Sequence, residues 1–265
     1  MKTGISTACY YPMYTEKALQ ELIEAGVKGV EIFFNATDEI SGKIYREIEA
    51  MVRSNEVSVH SVHPFSSAME TVYLFSDYDR RSDELLDVYR RYFETMNRLG
   101  AKVFVLHGAL ASAICPDDFY FRQYSKLFRL GKQFGVTVAQ ENICYCKSKS
   151  LDFLKKMSNQ LGDECAFVLD LKQAHRSGLT PFEIMDALGK KICHYHISDR
   201  NDIEDCMPAG KGSFDFDRFF EKLKQLDYDG AIILELYRTN FENTRDLLES
   251  MSFLRGKAEK FLKIT

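Results

Sequence analysis

Six side chains able to bind a cation or carry a proton fall at the ends of short apolar runs. His63 closes VSVHSVH (57–63), His107 closes AKVFVLH (101–107), Glu141 closes VTVAQE (136–141) and Asp170 closes CAFVLD (165–170). His196 lies in KICHYHI (191–197) and Glu235 in GAIILEL (230–236). Carboxylates and imidazoles are the usual ligands of divalent ions and the usual acids and bases of enzymes. An extended chain alternates its faces with period two. On that parity Glu141 shares a face with Ala139 and Thr137, Asp170 with Val168 and Ala166, and Glu235 with Ile233 and Ala231, while bulkier residues face the other way. Taken singly, His63 and His107 read as satisfied polar groups, and a lone carboxylate reads as a helix cap. Taken together, Glu141, Asp170, His196 and Glu235 read as a site, because three carboxylates gathered in one apolar place are costly unless a cation compensates.

The elements that must position them alternate along the chain. Strands are expected over 3–8, 28–34, 57–63, 101–107, 136–141, 165–170, 191–197 and 230–236. Helical patterns lie between them, notably 15–26 with Thr15 as its cap, 80–100 ending at a glycine, 214–230 capped by Asp215, and 243–263. Eight strand–helix units of about 33 residues each favour a closed (β/α)8 TIM barrel, with residues 1–265 as a single domain. A doubly wound open sheet is the alternative, but the glycine-rich first turn expected of it is absent. In such a barrel the site lies where the strands end, which is where the six polar residues fall. His194 lies one layer deeper on the same face as His196 and reads as support or core. His60 has the opposite parity to His63 and reads as core or helix-facing, unless a bulge shifts the register.

Composition narrows the function. The chain has 35 basic and 39 acidic residues, a net charge of −4, and lacks the basic excess typical of nucleic-acid binders. Seven scattered cysteines without a CxxC pair read as free thiols in a reducing, cytoplasmic compartment. No signal-peptide core or membrane-length apolar run is present.

Several stretches resemble the xylose-isomerase-like barrels, a superfamily of sugar and sugar-phosphate isomerases and epimerases that also holds the endonuclease IV nucleases. They are GVKGVEI (26–32), VHPF (62–65), QEN (140–142), VLDLKQAHRSG (168–178), YHISD (195–199), PAGKGSFDF (208–216) and IILELY (232–237). The resemblance implies one divalent metal ion held by Glu141, Asp170, His196 and Glu235. Mn²⁺ is the first choice, and Mg²⁺, Co²⁺ or Zn²⁺ also suit such donors. It implies Glu141 and Glu235 as the acid–base pair that removes and returns a proton beside a carbonyl through a metal-stabilised enediolate, on a sugar, sugar phosphate or cyclitol. Dehydration of a cyclitol ketone would use the same proton abstraction. Such a protein needs a small-molecule carbohydrate as partner and no nucleic acid or membrane. Helix 243–263 could pack on a second copy in a homodimer or simply close the barrel.

The pattern departs from its relatives in places. The histidine often found three residues after the strand-six Asp is Gln173 here, with His175 two positions later. Ketose 3-epimerases carry an acid where this chain has Lys147, and an Arg where it has Asp202, with Arg200 two positions early. Arg200 and Lys211 are candidates for a substrate phosphate or carboxylate, and the Gly210-Lys211-Gly212 loop could offer N–H groups to an anion. Expected substrate contacts are therefore His63, His107, Gln173, His175, Arg200 and Lys211, with Glu31 in the pocket wall or behind it. Tyr10, Tyr11, Phe33, Phe34, Phe65, Tyr145 and Tyr237 could form a stacking wall, Phe34 and Tyr237 foremost. His63 and His107 also admit an endonuclease IV-like zinc phosphodiesterase, although the histidines of that family's third zinc have no counterpart in RNDIEDCMP (200–208).

Overall fold

The structure, a computed structural model, describes residues 1–65 and 69–261. Eight parallel strands close into one barrel in sequential order. They are β1 (Lys2–Ser6), β2 (Gly29–Phe34), β3 (Ser58–Pro64), β4 (Val103–Leu106), β5 (Thr137–Glu141), β6 (Phe167–Asp170), β7 (Ile192–Ile197) and β8 (Ala231–Leu234), and β8 pairs back onto β1. Each expected strand is present. Strands covered on both faces carry near-continuous apolar runs, and β8, AIIL, is buried throughout.

The outer layer is made of α1 (Thr15–Glu24), α2 (Gly42–Ser54), α3 (Asp79–Leu99), α4 (Asp117–Gln133), α5 (Leu151–Leu161), α6 (Leu171–Arg176), α7 (Pro181–Leu188), α8 (Phe216–Gln225) and α9 (Thr244–Phe261). The end of the expected 243–263 helix lies outside the described residues. Leu85, Tyr89, Tyr92, Phe93, Met96 and Leu99 give α3 a buried stripe at helical spacing, and Gly100 ends it at φ 78°. Phe104 of β4 meets the rings of Tyr89, Tyr92 and Phe93 edge-on at 5.1–5.8 Å, which locks helix to strand. Asp215 caps α8 as expected, accepting from the Arg218 N–H. Thr15 does not cap α1. Tyr14 holds the cap position, and the Thr15 hydroxyl donates instead to Phe33 O and Glu39, tying the helix to the end of β2.

Two strands carry one extra residue each. Val30 and Glu31 of β2 pair with Val59 and Ser61, so His60 is bulged. Phe167 and Val168 of β6 pair with Ile192 and His194, so Cys193 is bulged. Val59 therefore faces the helices while Ser61 and His63 face the barrel axis. The His60 ring sits against Gly29, where a Cβ would meet its Nε2 at 2.6 Å and Thr3 O at 2.3 Å. Only glycine fits there.

All seven cysteines are free. No helix among the described residues is long and apolar enough to cross a membrane.

Candidate metal centre and its mouth

The strand ends converge as their parity predicts. Glu141 ends β5, Asp170 ends β6, His196 lies near the end of β7, and Glu235 follows β8. Each offers one ligand atom, and the four atoms lie within 4.8 Å of one another. His196 Nδ1 is 2.9 Å from Glu141 Oε1, 3.4 Å from Glu235 Oε2 and 3.9 Å from Asp170 Oδ2.

Neighbouring side chains hold these groups in place. Asp170 caps α6: its Oδ1 accepts from Gln173 N at 2.8 Å, which leaves Oδ2 for the centre. The carboxylate is thus both a helix cap and a site group. Asn142, the residue after β5, grips the same residue, accepting from Asp170 N at 2.8 Å and donating to Asp170 O at 3.1 Å. Gln140 donates to Leu106 O and His107 O at 3.1 and 2.9 Å, fixing the end of β4 beside β5. The QEN tripeptide therefore places one inward carboxylate between two amides that knit adjacent strands together.

Beneath the centre lies Glu31, fully buried on β2. It accepts from Ser6 Oγ at 3.0 Å and Ser61 Oγ at 2.7 Å, and lies 3.0 Å from His196 Nε2 and 3.3 Å from His194 Nε2. His194 lies one layer below His196, with its Nε2 also 3.0 Å from Ser61 Oγ. At the rim, His63 and His107 face each other, Nε2 to Nε2, at 2.8 Å. Glu141 Oε2 lies 3.3 Å from His107 Nε2 and 3.7 Å from His63 Nε2.

Lys172, the second residue of α6, was not anticipated. Its side chain is 3% exposed, and its Nζ lies 3.2 Å from Asp170 Oδ2 and 3.3 Å from Glu235 Oε2. Helical periodicity alone does not reveal that the first turn after β6 aims this ammonium into the barrel mouth.

The electrostatics follow from burial and pairing. Burial pushes the Asp170 carboxyl up to about 6, and Glu141 and Glu235 add to the shift against the pull of Lys172. Burial also opposes charge on Glu31 and Glu141, but His196 and the other imidazoles outweigh it and hold both well below the usual carboxylate range. Glu235 is lowered against burial by His196 and Lys172. Burial works against charge on His196 and Lys172, yet the surrounding carboxylates raise both well above their ordinary values.

Two buried carboxylate oxygens, Glu141 Oε2 and Asp170 Oδ2, have no hydrogen-bond donor aligned on them among the described residues. The Asp170–Lys172 contact is an ion-pair distance without that alignment. Buried carboxylate oxygens are rarely left so. Three carboxylates and one imidazole form a donor set that fits Mn²⁺, Mg²⁺, Co²⁺ or Zn²⁺.

The centre opens into a cavity of about 280 Å³ whose lining includes His63, His107, Glu141, Lys172, Gln173 and Glu235. Tyr11, Phe33, Phe65, Tyr145 and Tyr237 supply an aromatic wall. Tyr10 and Phe34 are not in it: both are buried, against Phe241 and Tyr92 respectively. Three expected substrate contacts lie elsewhere. His175 and Arg200 line a separate cavity between α6, α7 and the loop after β7, which shares Lys172 with the mouth. Lys211 is exposed and pairs with Glu249 at 3.3 Å. The expected anion loop is already filled by the chain's own Asp199. Its Oδ2 accepts from Gly210 N and Gly212 N at 2.9 and 3.0 Å, and its Oδ1 from Phe214 N and Arg200 N at 3.0 and 2.8 Å. The aspartate three residues after His196 was the available signal.

Residues 19–257 match the family model described as xylose isomerase-like TIM barrel. The chain is 24% identical over 197 residues to an inosose isomerase of Bacillus velezensis, covering 69% of this chain and 70% of that protein. Among solved structures, a D-tagatose 3-epimerase-like protein superposes with a TM-score of 0.81 at 22% identity, covering 98% of both chains. A structure titled as IOLI protein with a binding zinc atom superposes with a TM-score of 0.73 at 18% identity over the full length of both.

Proposed function

Given that the chain belongs to the xylose isomerase-like TIM-barrel family, we propose that it is a divalent-metal-dependent isomerase or epimerase of an uncharged keto sugar or keto-cyclitol. The carrying observation is the convergence of Glu141, Asp170, His196 and Glu235, whose ligand atoms lie within 4.8 Å of one another, with two buried carboxylate oxygens on which no hydrogen-bond donor among the described residues is aligned. The inosose isomerase among the relatives, the epimerase-like structure and the zinc-bound structure support the reading.

Glu141, Asp170, His196 and Glu235 would hold the ion. When bound, it supplies positive charge beside a carbonyl oxygen that becomes negative as the neighbouring carbon loses its proton. Glu141 ends β5 and Glu235 follows β8, three strands further round the barrel. One removes the proton and the other returns it, to the opposite face or to the adjacent carbon. His63, His107 and Gln173 line the same cavity and offer hydrogen bonds to hydroxyl groups. The aromatic wall suits the apolar face of a ring.

The uncharged substrate follows from the placement of cations. Lys172 is the sole lysine or arginine among the described lining residues, and its single positive charge is already offset by two carboxylates, though N–H donors remain on it. A phosphate would find neither Arg200 nor Lys211 in the mouth, and no free N–H groups in the loop that Asp199 fills. A second reading, a zinc phosphodiesterase, draws on the His63–His107–Glu141 group, which could take a second ion. Metal analysis separates the two, since one ion per chain fits the isomerase and two or three fit the phosphodiesterase.

The test is incorporation of solvent deuterium into keto sugars, inososes and their phosphates with Mn²⁺ present. Exchange should occur in an uncharged substrate and fall about 10²–10⁴-fold in Glu141→Gln and Glu235→Gln with the fold retained. Full exchange in both variants would remove the acid–base assignment. Exchange confined to phosphorylated compounds would remove the uncharged substrate.

A further inference from the structure

A lysine in the first turn of a short helix ordinarily extends into water. Lys172 does the opposite, lying 3% exposed with its Nζ at the two carboxylates and 4.8 Å from the centre of the Tyr237 ring. That ring is itself anchored, its hydroxyl accepting from Arg176 at 2.7 Å. An ammonium carries three N–H donors. Among the described residues, only the one on Glu235 Oε2 is aligned as a hydrogen bond, at 3.3 Å. The head group therefore keeps donor capacity, and it lines the mouth beside Gln173 and Glu235.

From this placement we infer that Lys172 is a catalytic residue, whose ammonium donates an N–H to the substrate oxygen that gains negative charge during proton abstraction. The inference rests on the isomerase reading above. In the step, the C–H bond breaks and its proton passes to a glutamate. The C–H electron pair forms the new C=C bond, and the carbonyl π pair moves onto oxygen. Lys172 keeps its own proton and stabilises the oxygen by a charge-assisted hydrogen bond in a site shielded from water. The same ammonium shares Asp170 and Glu235 with an ion in the centre, so it also lowers the affinity of the centre for that ion. A lysine that only neutralised the two carboxylates would affect metal affinity and leave the chemistry alone.

The experiment uses the full chain with Lys172→Met, and Lys172→Arg to keep the charge in a different shape. Mn²⁺ affinity is read by calorimetry, and deuterium exchange at saturating Mn²⁺ and substrate. Lys172→Met should bind Mn²⁺ more than about tenfold tighter, through loss of a neighbouring positive charge. Its kcat for exchange should fall about 10²–10³-fold with KM little changed. Lys172→Arg should recover part of the rate. If Lys172→Met does not fold, Lys172→Gln takes its place with the same expectations. Wild-type exchange combined with undiminished exchange in Lys172→Met overturns this inference alone, as does unchanged or weaker Mn²⁺ binding. A wild-type protein that binds Mn²⁺ and exchanges neither a keto sugar nor an inosose overturns the isomerase reading and this inference with it.

Discussion

His196 presents one ring nitrogen to each of two carboxylate layers, Nε2 to Glu31 at 3.0 Å and Nδ1 to Glu141 at 2.9 Å. An ionised carboxylate can only accept a hydrogen bond. Glu31 and Glu141 are both held ionised against burial by the imidazoles, so the ring donates from both nitrogens. Nδ1, which faces Glu141, Asp170 and Glu235, is the one that would give up its hydrogen to a metal, while Nε2 stays bonded to Glu31. Partners of this kind orient a ligating imidazole and raise its basicity. Glu31→Gln should therefore weaken Mn²⁺ binding about 10–100-fold while the barrel persists, as read by competition with a chelator. Equal affinity in the variant would show that Glu31 does not set the ring. The parity of GVEIFF pointed Glu31 inward, and strand-end position exposed the four candidate ligands. Lys172 escaped notice because a lysine one residue into a helix carries no signal of which way its long stem will run.

At the scale of elements, the segment after β7 shows how a loop can imitate a binding motif. PAGKGSF carries the glycines and lysine of an anion cradle, but its N–H groups converge on Asp199, which is 2% exposed. The carboxylate organises the loop. Asp199→Ala would leave several backbone donors without their acceptor and should cost about 2–4 kcal/mol of stability. Denaturant unfolding measures this, and Mn²⁺ affinity at the mouth should stay unchanged. A variant as stable as the parent would mean that water replaces the carboxylate. Loops were the least legible part of the sequence. Their conformation is set by side-chain acceptors several residues away, whereas strands and helices announce themselves by period. Thr15 misled for a similar reason, since its hydroxyl bonds across to β2 and not to its own helix.

For the whole molecule, the barrel was legible because eight apolar runs and the amphipathic stretches between them leave few alternatives. Its stability should depend on the centre that closes it. Asp170, raised to about 6 from an ordinary 3.8, favours its protonated form in the folded chain. Asp170 therefore contributes a loss of stability that develops as pH rises from about 4 to 6 and persists above that. A cation that needs the ionised carboxylate offsets this loss only where the carboxylate is ionised. Mn²⁺ at about 100 times its Kd should add about 2.7 kcal/mol at pH 7.5, seen as a rise in Tm, and less at pH 5. Equal shifts at the two pH values would argue against Asp170 as a ligand.

The bulged His60 and Cys193 sit on strands half a circuit apart, in the lower halves of β3 and β7. In each, the extra residue lets the first half of the strand turn its apolar side chain toward the helices and the second half turn histidines toward the axis. Information about the centre is thus written in how many residues each strand contains as well as in which ones. A relative that kept every histidine but lost one residue from the first half of β7 would send His194 and His196 into the helical layer. Matching such chains by letters alone would credit it with a centre it could not assemble.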